Sequence, residues 1–148
     1  MNRPALAFLA LLLLGGPLSA AELKWQTDYP KALAQAKTEN KIVLLNFTGS
    51  DFCIACKQLK QEVFPRKEFT DFAQRRLVLV ELDFPLKKKQ SDELKQANAA
   101  LKEQFKVTGY PTLILVDAAG KKLGEADFDQ DAKALVKELE TLAARAGR

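Results

Sequence analysis

Histidine is absent from this sequence of 148 residues, and cysteine occurs only twice. Without an imidazole there can be no Ser-His-Asp or Cys-His hydrolase, no HExxH zinc protease and no CxxCH haem attachment. Two cysteines supply half of the four ligands of a structural zinc site, which prefers sulfur and imidazole. The enzyme classes that depend on histidine are therefore excluded.

Long apolar runs are scarce as well. The longest, from Ala5 to Leu14, follows Arg3, is too short to span a bilayer, and ends at glycines and a proline before a few small residues. This layout predicts a secretory signal peptide over residues 1–21, cleaved after Ala20 or Ala21. An uncleaved anchor or a buried helix is the alternative. No later segment is apolar enough to cross a membrane.

The remainder, residues 22–148, has the length of one domain with a substantial core, and we expect it to be soluble and periplasmic or secreted. Its charges of both signs are interspersed, which indicates solubility rather than nucleic-acid binding. The one dense basic run is Lys87–Lys89. We interpret it as a solvated loop, with a patch that steers a partner as the alternative.

Short apolar runs alternate with amphipathic stretches along this domain. The runs 42–47 and 77–83 are apolar enough to be strands buried on both faces, as in a parallel sheet. A turn at 117–120 predicts a hairpin with a more polar edge strand. The predicted strands are 23–25, 42–47, 77–83, 113–116 and a segment within 121–128.

Three helical regions separate these strands and a fourth follows the last strand. Asp28 and Ser91 are predicted N-caps, one helix begins at the cysteines and is interrupted at Pro65, and the last begins near Asp131. After Pro65, phenylalanines suggest a further helical turn or two. The helix after Ser91 is expected to bury one stripe, formed by Leu94, Ala97, Leu101 and Phe105. The alternation predicts an α/β domain with a mixed sheet and helices on both faces.

The two cysteines, Cys53 and Cys56, lie in the segment FTGSDFCIACKQL. They follow a predicted buried strand and open a predicted helix, where unpaired N–H groups and the positive end of the helix dipole favour a thiolate. We expect Cys53 to be the exposed nucleophile and Cys56, one turn later, to resolve the mixed disulfide. A structural staple is the weaker interpretation because so short a loop gains little stability, and zinc lacks ligands.

This order of features resembles the thioredoxin superfamily. A buried strand leads into Cys-x-x-Cys, and Gly-Tyr-Pro-Thr (109–112) precedes another strand. The resemblance covers roughly Trp25 to Leu142. More narrowly, the chain is similar to small exported bacterial thioredoxin-like proteins, which also resemble the C-terminal domain of the electron transporter DsbD. The resemblance implies a thioredoxin-like α/β fold, with a mixed central sheet of four to five strands flanked by helices on both faces.

The resemblance also implies a substrate groove. In it Pro111 follows a cis peptide bond beside the cysteines, the backbone of Tyr110 pairs with an extended substrate segment, and Phe52 covers the cysteine pair. Ile54 and Ala55 complete the groove, where thioredoxins usually have Gly-Pro or a dipeptide with histidine. From the residues alone, a proline before an apolar run marks a strand start, and most such bonds are trans.

The family's proton-transfer pair is replaced in this chain. Thioredoxins have a buried aspartate on the strand before the motif, facing a lysine on the next strand, and the matching positions here are Asn46 and Glu81. Because asparagine cannot act as a base, we hypothesise that Glu81 has taken over proton transfer, with Asn46 as its hydrogen-bond partner. The alternative is that Glu81 points to solvent at the strand end.

The sequence therefore predicts an exported thiol–disulfide oxidoreductase that acts on protein thiols and disulfides and needs no metal or organic cofactor. The resemblance favours reduction over oxidation. Because two cysteines cannot relay electrons between internal pairs, a membrane or periplasmic redox partner has to regenerate them. The alternatives are a thioredoxin-like binding or chaperone module with little redox turnover, and a metal carrier.

Overall fold

The structure is a computed structural model, and it describes residues 22–146. The predicted signal peptide and its cleavage site lie outside the described residues. None of the helices within 22–146 combines the length and the apolar character that a membrane span requires.

In the described part of the chain, five strands form one mixed sheet in the order β1-β3-β2-β4-β5. Strands β1, β3 and β2 are parallel, whereas β4 runs antiparallel to β2 and β5 antiparallel to β4. This confirms the predicted mixed sheet and its hairpin at the edge. The first strand is shorter than predicted and begins two residues later. The strands are β1 Trp25–Gln26, β2 Ile42–Thr48, β3 Leu77–Asp83, β4 Thr112–Val116 and β5 Lys122–Ala126.

The helices begin where the capping residues predict. Asp28 and Ser91 each accept a hydrogen bond from a backbone N–H three residues later, and Asp131 caps the last helix in the same way. The region after the cysteines contains a π-helical segment, and the helix after Pro65 has ten residues, more than the predicted turn or two. The helices are α1 Tyr29–Glu39, α2 Ile54–Gln58, the π-helical segment Leu59–Val63, α3 Lys67–Arg76, α4 Asp92–Gln104 and α5 Ala132–Ala143.

Side chains of the sheet alternate between two apolar clusters, one on each face. The first cluster joins the sheet to α3, α5 and the π-helical segment, with Leu44 and Leu115 fully buried at its centre. The second joins the sheet to α1 and the end of α4 through residues such as Leu45 and Phe47. The predicted layers, with helices on both faces of the sheet, are therefore confirmed.

The predicted stripe on α4 is wrong at one position, because Asn98 is buried and Ala97 is exposed. The Asn98 side-chain amide donates to the backbone oxygen of Asp83 at 3.1 Å, which ties α4 to the end of β3. Helical spacing from Leu94 allows either Ala97 or Asn98 to lie on the buried face of the helix. The hydrogen bond to the end of β3 places Asn98 there.

The directions of the strands bring four loops to one edge of the sheet, meaning the side where the strands end and not an outer strand. The carboxyl ends of parallel β2 and β3 meet there, with Thr48 opposite Asp83. The amino end of antiparallel β4 and the carboxyl end of β5 also lie there, because Thr112 pairs with Phe47 and Ala126 with Leu113. The cysteine loop, the β3–α4 loop, the Tyr110-Pro111 segment and the β5–α5 loop therefore share this edge.

Candidate active site

Cys53 and Cys56 lie at the start of α2 and are joined as a disulfide, with their Cα atoms 5.2 Å apart. A tight turn precedes them, in which the Gly49 carbonyl accepts a hydrogen bond from the Cys53 N–H at 2.9 Å. Cys53 is the N-cap of α2, and its sulfur accepts from the Cys56 N–H at 3.2 Å. Cys53 is half-buried and Cys56 is buried. A backbone donor aimed at the Cys53 sulfur favours its thiolate once the pair is reduced.

The peptide bond between Tyr110 and Pro111 is cis, as the resemblance implies. The Tyr110 and Phe52 rings form a T-shaped pair at a centroid distance of 6.3 Å, so this segment contacts the residue before Cys53. The Phe52 ring in turn lies against Gly49, where a Cβ would stand 2.5 Å from two ring carbons. Glycine at this position lets the Phe52 ring lie directly against the backbone of the turn.

A second aromatic layer behind Tyr110 was not predicted. The Phe84 ring stacks on Tyr110 at 5.1 Å, and the Lys102 ammonium lies 5.0 Å from the Tyr110 ring centroid and 5.5 Å from that of Phe84. Cations at these distances are attracted to aromatic faces. Because Phe84 follows β3 and Lys102 lies on α4, no local pattern in the sequence indicates this layer.

Four large apolar side chains are exposed among the described residues, and all four lie near the cysteines. Phe52 and Ile54 flank Cys53, Leu86 lies in the β3–α4 loop, and Phe128 lies in the β5–α5 loop. Phe128 and Ala55 line a hollow of about 300 Å³. Of the predicted groove residues, Phe52 therefore contacts Tyr110, Ile54 is exposed beside Cys53, and Ala55 lines the hollow with Phe128. An exposed apolar surface of this kind is typical of a binding site.

Asp51 joins the cysteine loop to the β3–α4 loop. Its carboxylate accepts hydrogen bonds from the backbone N–H groups of Leu86, Lys87 and Lys88 at 3.0, 2.7 and 3.0 Å. These bonds, that of Leu86 foremost, lower the pKa of Asp51 to about 2. The carboxylate therefore stays ionised at neutral pH and organises the neighbouring loop.

Ser50 reinforces this connection. Its backbone N–H and hydroxyl donate to the Asp83 carboxylate at 2.9 and 2.5 Å, and its hydroxyl oxygen accepts from the Lys88 ammonium at 3.0 Å. Asp83 is the last residue of β3. The carboxyl end of β3 is thus tied to the loop that carries the cysteines.

Asn46 and Glu81 are neighbours across β2 and β3, in direct register and on the face that carries α3 and α5. Within residues 22–146 no hydrogen bond joins the Asn46 amide to the Glu81 carboxylate, so the expected contact is not formed, and Asn46 Oδ1 is buried without any partner. Glu81 instead pairs with the Lys60 ammonium at 3.3 Å, and 23% of its side chain is exposed. Lys60 was not singled out from the sequence, although it lies four residues after Cys56, on the same side of the helical region.

Comparisons with known proteins agree with this geometry. A family model described as a thioredoxin-like domain matches residues 29–143. The chain is 42% identical over 113 residues to the disulfide bond reductase DsbH of Chlamydia pneumoniae, covering 76% of this chain and 68% of the relative. It is 34% identical over 117 residues to the thioredoxin-related protein DsbJ of the same organism, covering 75% of this chain but only 34% of that relative.

A solved structure of a DsbH oxidoreductase has the same fold. Its TM-score is 0.80 at 38% identity, and the match covers 90% of this chain and 92% of that one. The chain belongs to the thioredoxin superfamily. Within the superfamily, a Cys-x-x-Cys pair at a strand-to-helix junction makes it a thiol–disulfide oxidoreductase.

Proposed function

We propose that the protein is an exported reductase of protein disulfides in which Cys53 attacks and Cys56 resolves. The observation that carries this assignment is the different environment of the two sulfurs. Cys53 is accessible and receives a backbone N–H, whereas Cys56 is 5% exposed. A substrate disulfide can reach the first sulfur and not the second. The relative named a disulfide bond reductase supports the direction.

The reaction moves two electrons from the protein to the substrate. The Cys53 thiolate attacks one substrate sulfur, the substrate S–S bond breaks, and the first substrate thiolate leaves and takes a proton. Cys56 then loses its proton and attacks the Cys53 sulfur, which forms the Cys53–Cys56 disulfide and releases the second substrate thiol. A protein dithiol, in the membrane or the periplasm, then reduces the pair by the same exchange in reverse.

Glu81 is the proposed proton acceptor for Cys56, with Lys60 as its ion-pair partner. Supporting this role, Lys60 lies one helical turn after Cys56 and contacts Glu81 at 3.3 Å, so the carboxylate lies below the helical region that carries the resolving cysteine. In Glu81→Gln, resolution of the mixed disulfide should slow and its pH profile should change. Glu62→Gln, an exposed acid on the same region, is the matched control. An unchanged pH profile in Glu81→Gln would contradict the role of Glu81 as proton acceptor.

The proposed substrate surface is the exposed apolar patch around Cys53. Phe52 and Ile54 offer apolar contact, and Tyr110, before the cis Pro111, offers backbone groups to an extended chain. Extended segments that pair with an exposed backbone edge are a common mode of peptide recognition. The substrates we propose are therefore protein segments that present a disulfide in extended conformation.

Export is proposed from residues 1–21, whose layout is that of a signal peptide. The relatives named as Dsb proteins are consistent with a periplasmic partner for thiol exchange. N-terminal sequencing of protein recovered from the periplasm should give a chain that begins at Ala21 or Glu22. Retention of Met1 on the recovered protein would remove this part of the proposal.

The reduction potential of the Cys53–Cys56 pair tests the direction of electron flow. We expect a value near that of thioredoxin, about −270 mV, and a value near −120 mV, roughly that of a strong oxidant, would reverse the assignment. Cys56→Ser should trap disulfide-linked substrates, with Cys53→Ser as the matched control that traps none. Trapping by neither variant, with slow reduction of insulin, would favour a binding module.

A further inference from the structure

The basic run Lys87–Lys89 lies in the loop between β3 and α4, which we call the lysine loop (residues 84–91). We propose that Asp51 holds this loop beside Cys53 as a docking surface for protein partners that carry acidic side chains next to the reacting disulfide. The proposal rests on the proposed function and specifies which substrates it would favour.

The position of the loop is fixed by the cysteine loop itself. Asp51, two residues before Cys53, accepts three backbone hydrogen bonds from Leu86, Lys87 and Lys88, and the Lys88 ammonium reaches Ser50. Because these bonds use the backbone of the loop, the side chains of Lys87 and Lys89 stay exposed, whereas the Lys88 ammonium lies at Ser50. The sequence alone favours a freely solvated loop, whereas the structure anchors it to the residues that precede the nucleophile.

The positive charge of the lysine loop is larger than the negative charge of the acids around it. Across residues 22–146, no ion pair joins a carboxylate to Lys87, Lys88 or Lys89, and all three are exposed. Two nearby acids offset part of this charge, because the ionised Asp51 carboxylate is held by the loop backbone and Asp83 lies behind Ser50, which the Lys88 ammonium reaches. Asp92, just after the loop, pairs with Lys95 at 3.4 Å. An approaching anionic group therefore meets exposed lysines whose three positive charges exceed the two negative charges of Asp51 and Asp83.

Charge on the opposite side of the cysteines has the other sign. The β5–α5 loop carries Asp127, Asp129 and Asp131, beside the hollow lined by Ala55 and Phe128. The edge that holds Cys53 thus runs from basic to acidic. Such a polarity attracts an acidic segment to the lysine loop and orients it across the disulfide.

An apolar contact accompanies the charge. Leu86 is 75% exposed within the lysine loop, and Ile54, 74% exposed, lies beside Cys53. A partner that carries acidic residues and an apolar residue near its disulfide would match both features. A protein partner fits better than a lipid surface, because the apolar side chains lie around a sulfur that has to meet another sulfur.

The test compares two peptide substrates of equal length, each of which contains one disulfide. Aspartate residues flank the disulfide in the first peptide, and lysine residues flank it in the second. Single-turnover exchange with the reduced protein is followed by stopped flow at low and at physiological ionic strength. We expect the acidic peptide to react on the order of tenfold faster at low salt, with the preference shrinking as salt rises. Equal rates for the two peptides would overturn the proposal.

Two sets of variants localise the effect. The triple variant Lys87→Gln, Lys88→Gln, Lys89→Gln should bring the ratio of the two rates close to one. The matched control removes three exposed positive charges near the other end of the sheet, with Lys37→Gln, Arg75→Gln and Arg76→Gln, and should keep most of the preference. Equal loss in both sets would assign the preference to net charge and overturn the role of the loop.

Asp51→Ala separates positioning from charge. The change makes the site more positive, so charge alone predicts a larger preference for the acidic peptide. If Asp51 positions the loop, the preference falls despite the added positive net charge, and a larger preference would overturn this part of the proposal. Binding of the wild-type protein to anionic vesicles, lost in the lysine variant and without any peptide preference, would assign the surface to a membrane instead.

The ratio of exchange rates does not depend on the potential of the cysteine pair. A reducing potential with equal peptide rates overturns only the docking surface. An oxidising potential with a clear preference overturns only the proposed direction of electron flow.

Discussion

The variant Asn46→Asp would restore the carboxylate that thioredoxins have on this strand, in a site that is built differently. Asn46 is 4% exposed, its Oδ1 has no hydrogen-bond partner, and Glu81 lies directly across from it on β3. Neighbouring strands are about 4.8 Å apart, so two carboxylates would face each other in a nearly dry place. The nearby cation, Lys60, is already paired with Glu81.

Burial and the neighbouring carboxylate both raise the pKa of an acid at position 46, by about 3 units for a group buried this deeply. Such an aspartate would have a pKa near 4 in the unfolded chain and near 7 in the folded protein. It therefore destabilises the folded state only at pH values above about 4. Since each unit corresponds to about 1.4 kcal/mol, the penalty is about 4 kcal/mol at pH 7 and about 1.5 kcal/mol at pH 5. The penalty disappears below pH 4 or so.

Urea unfolding of the oxidised protein at both pH values measures this difference. With a slope of about 2 kcal/mol per molar urea, the midpoint should fall by about 2 M at pH 7 and by less than about 1 M at pH 5. Asn46→Leu, which cannot ionise, is the matched control and should show no pH dependence. An equal loss of stability at both pH values in Asn46→Asp would refute the electrostatic account of the Asn46–Glu81 neighbourhood.

Two further perturbations probe the surroundings of Cys53. In Gly49→Ala, the added methyl group would lie 2.5 Å from the Phe52 ring; because that ring is 42% exposed it should swing outward, at a cost of about 1 kcal/mol in unfolding free energy and several-fold slower exchange. Unchanged exchange kinetics would show that the ring position does not matter. For Asp51, whose pKa is lowered to about 2 chiefly by the Leu86 N–H, the hydrogen bonds to the lysine loop are complete above the ordinary value of 3.8 and are lost as pH falls through about 2. The NMR chemical shifts of the backbone amides of residues 86–88 should therefore titrate with a midpoint near pH 2. A midpoint near pH 3.8 would contradict the hydrogen bonds between Asp51 and the lysine loop.

Much of the fold can be predicted from the sequence because its signals are local. The apolar runs 42–47 and 77–83 became central strands, and Asp28 and Ser91 cap helices as predicted, because periodicity and capping depend on residues a few positions apart. Local spacing could not choose between Ala97 and Asn98, since both are compatible with a helix stripe. The contact of Asn98 with the end of β3 made that choice.

The sequence by itself determined the chemistry: two cysteines one turn apart at the start of a helix, a proline before β4, and no histidine to assist them. The tertiary structure decided what surrounds that pair. It paired Glu81 with Lys60 instead of Asn46, stacked Phe84 on Tyr110, and fixed the lysine loop to Asp51 over a separation of 35 to 37 residues. The physical reason is that these partners are distant in the chain, and only the strand order of the sheet brings their loops to one edge.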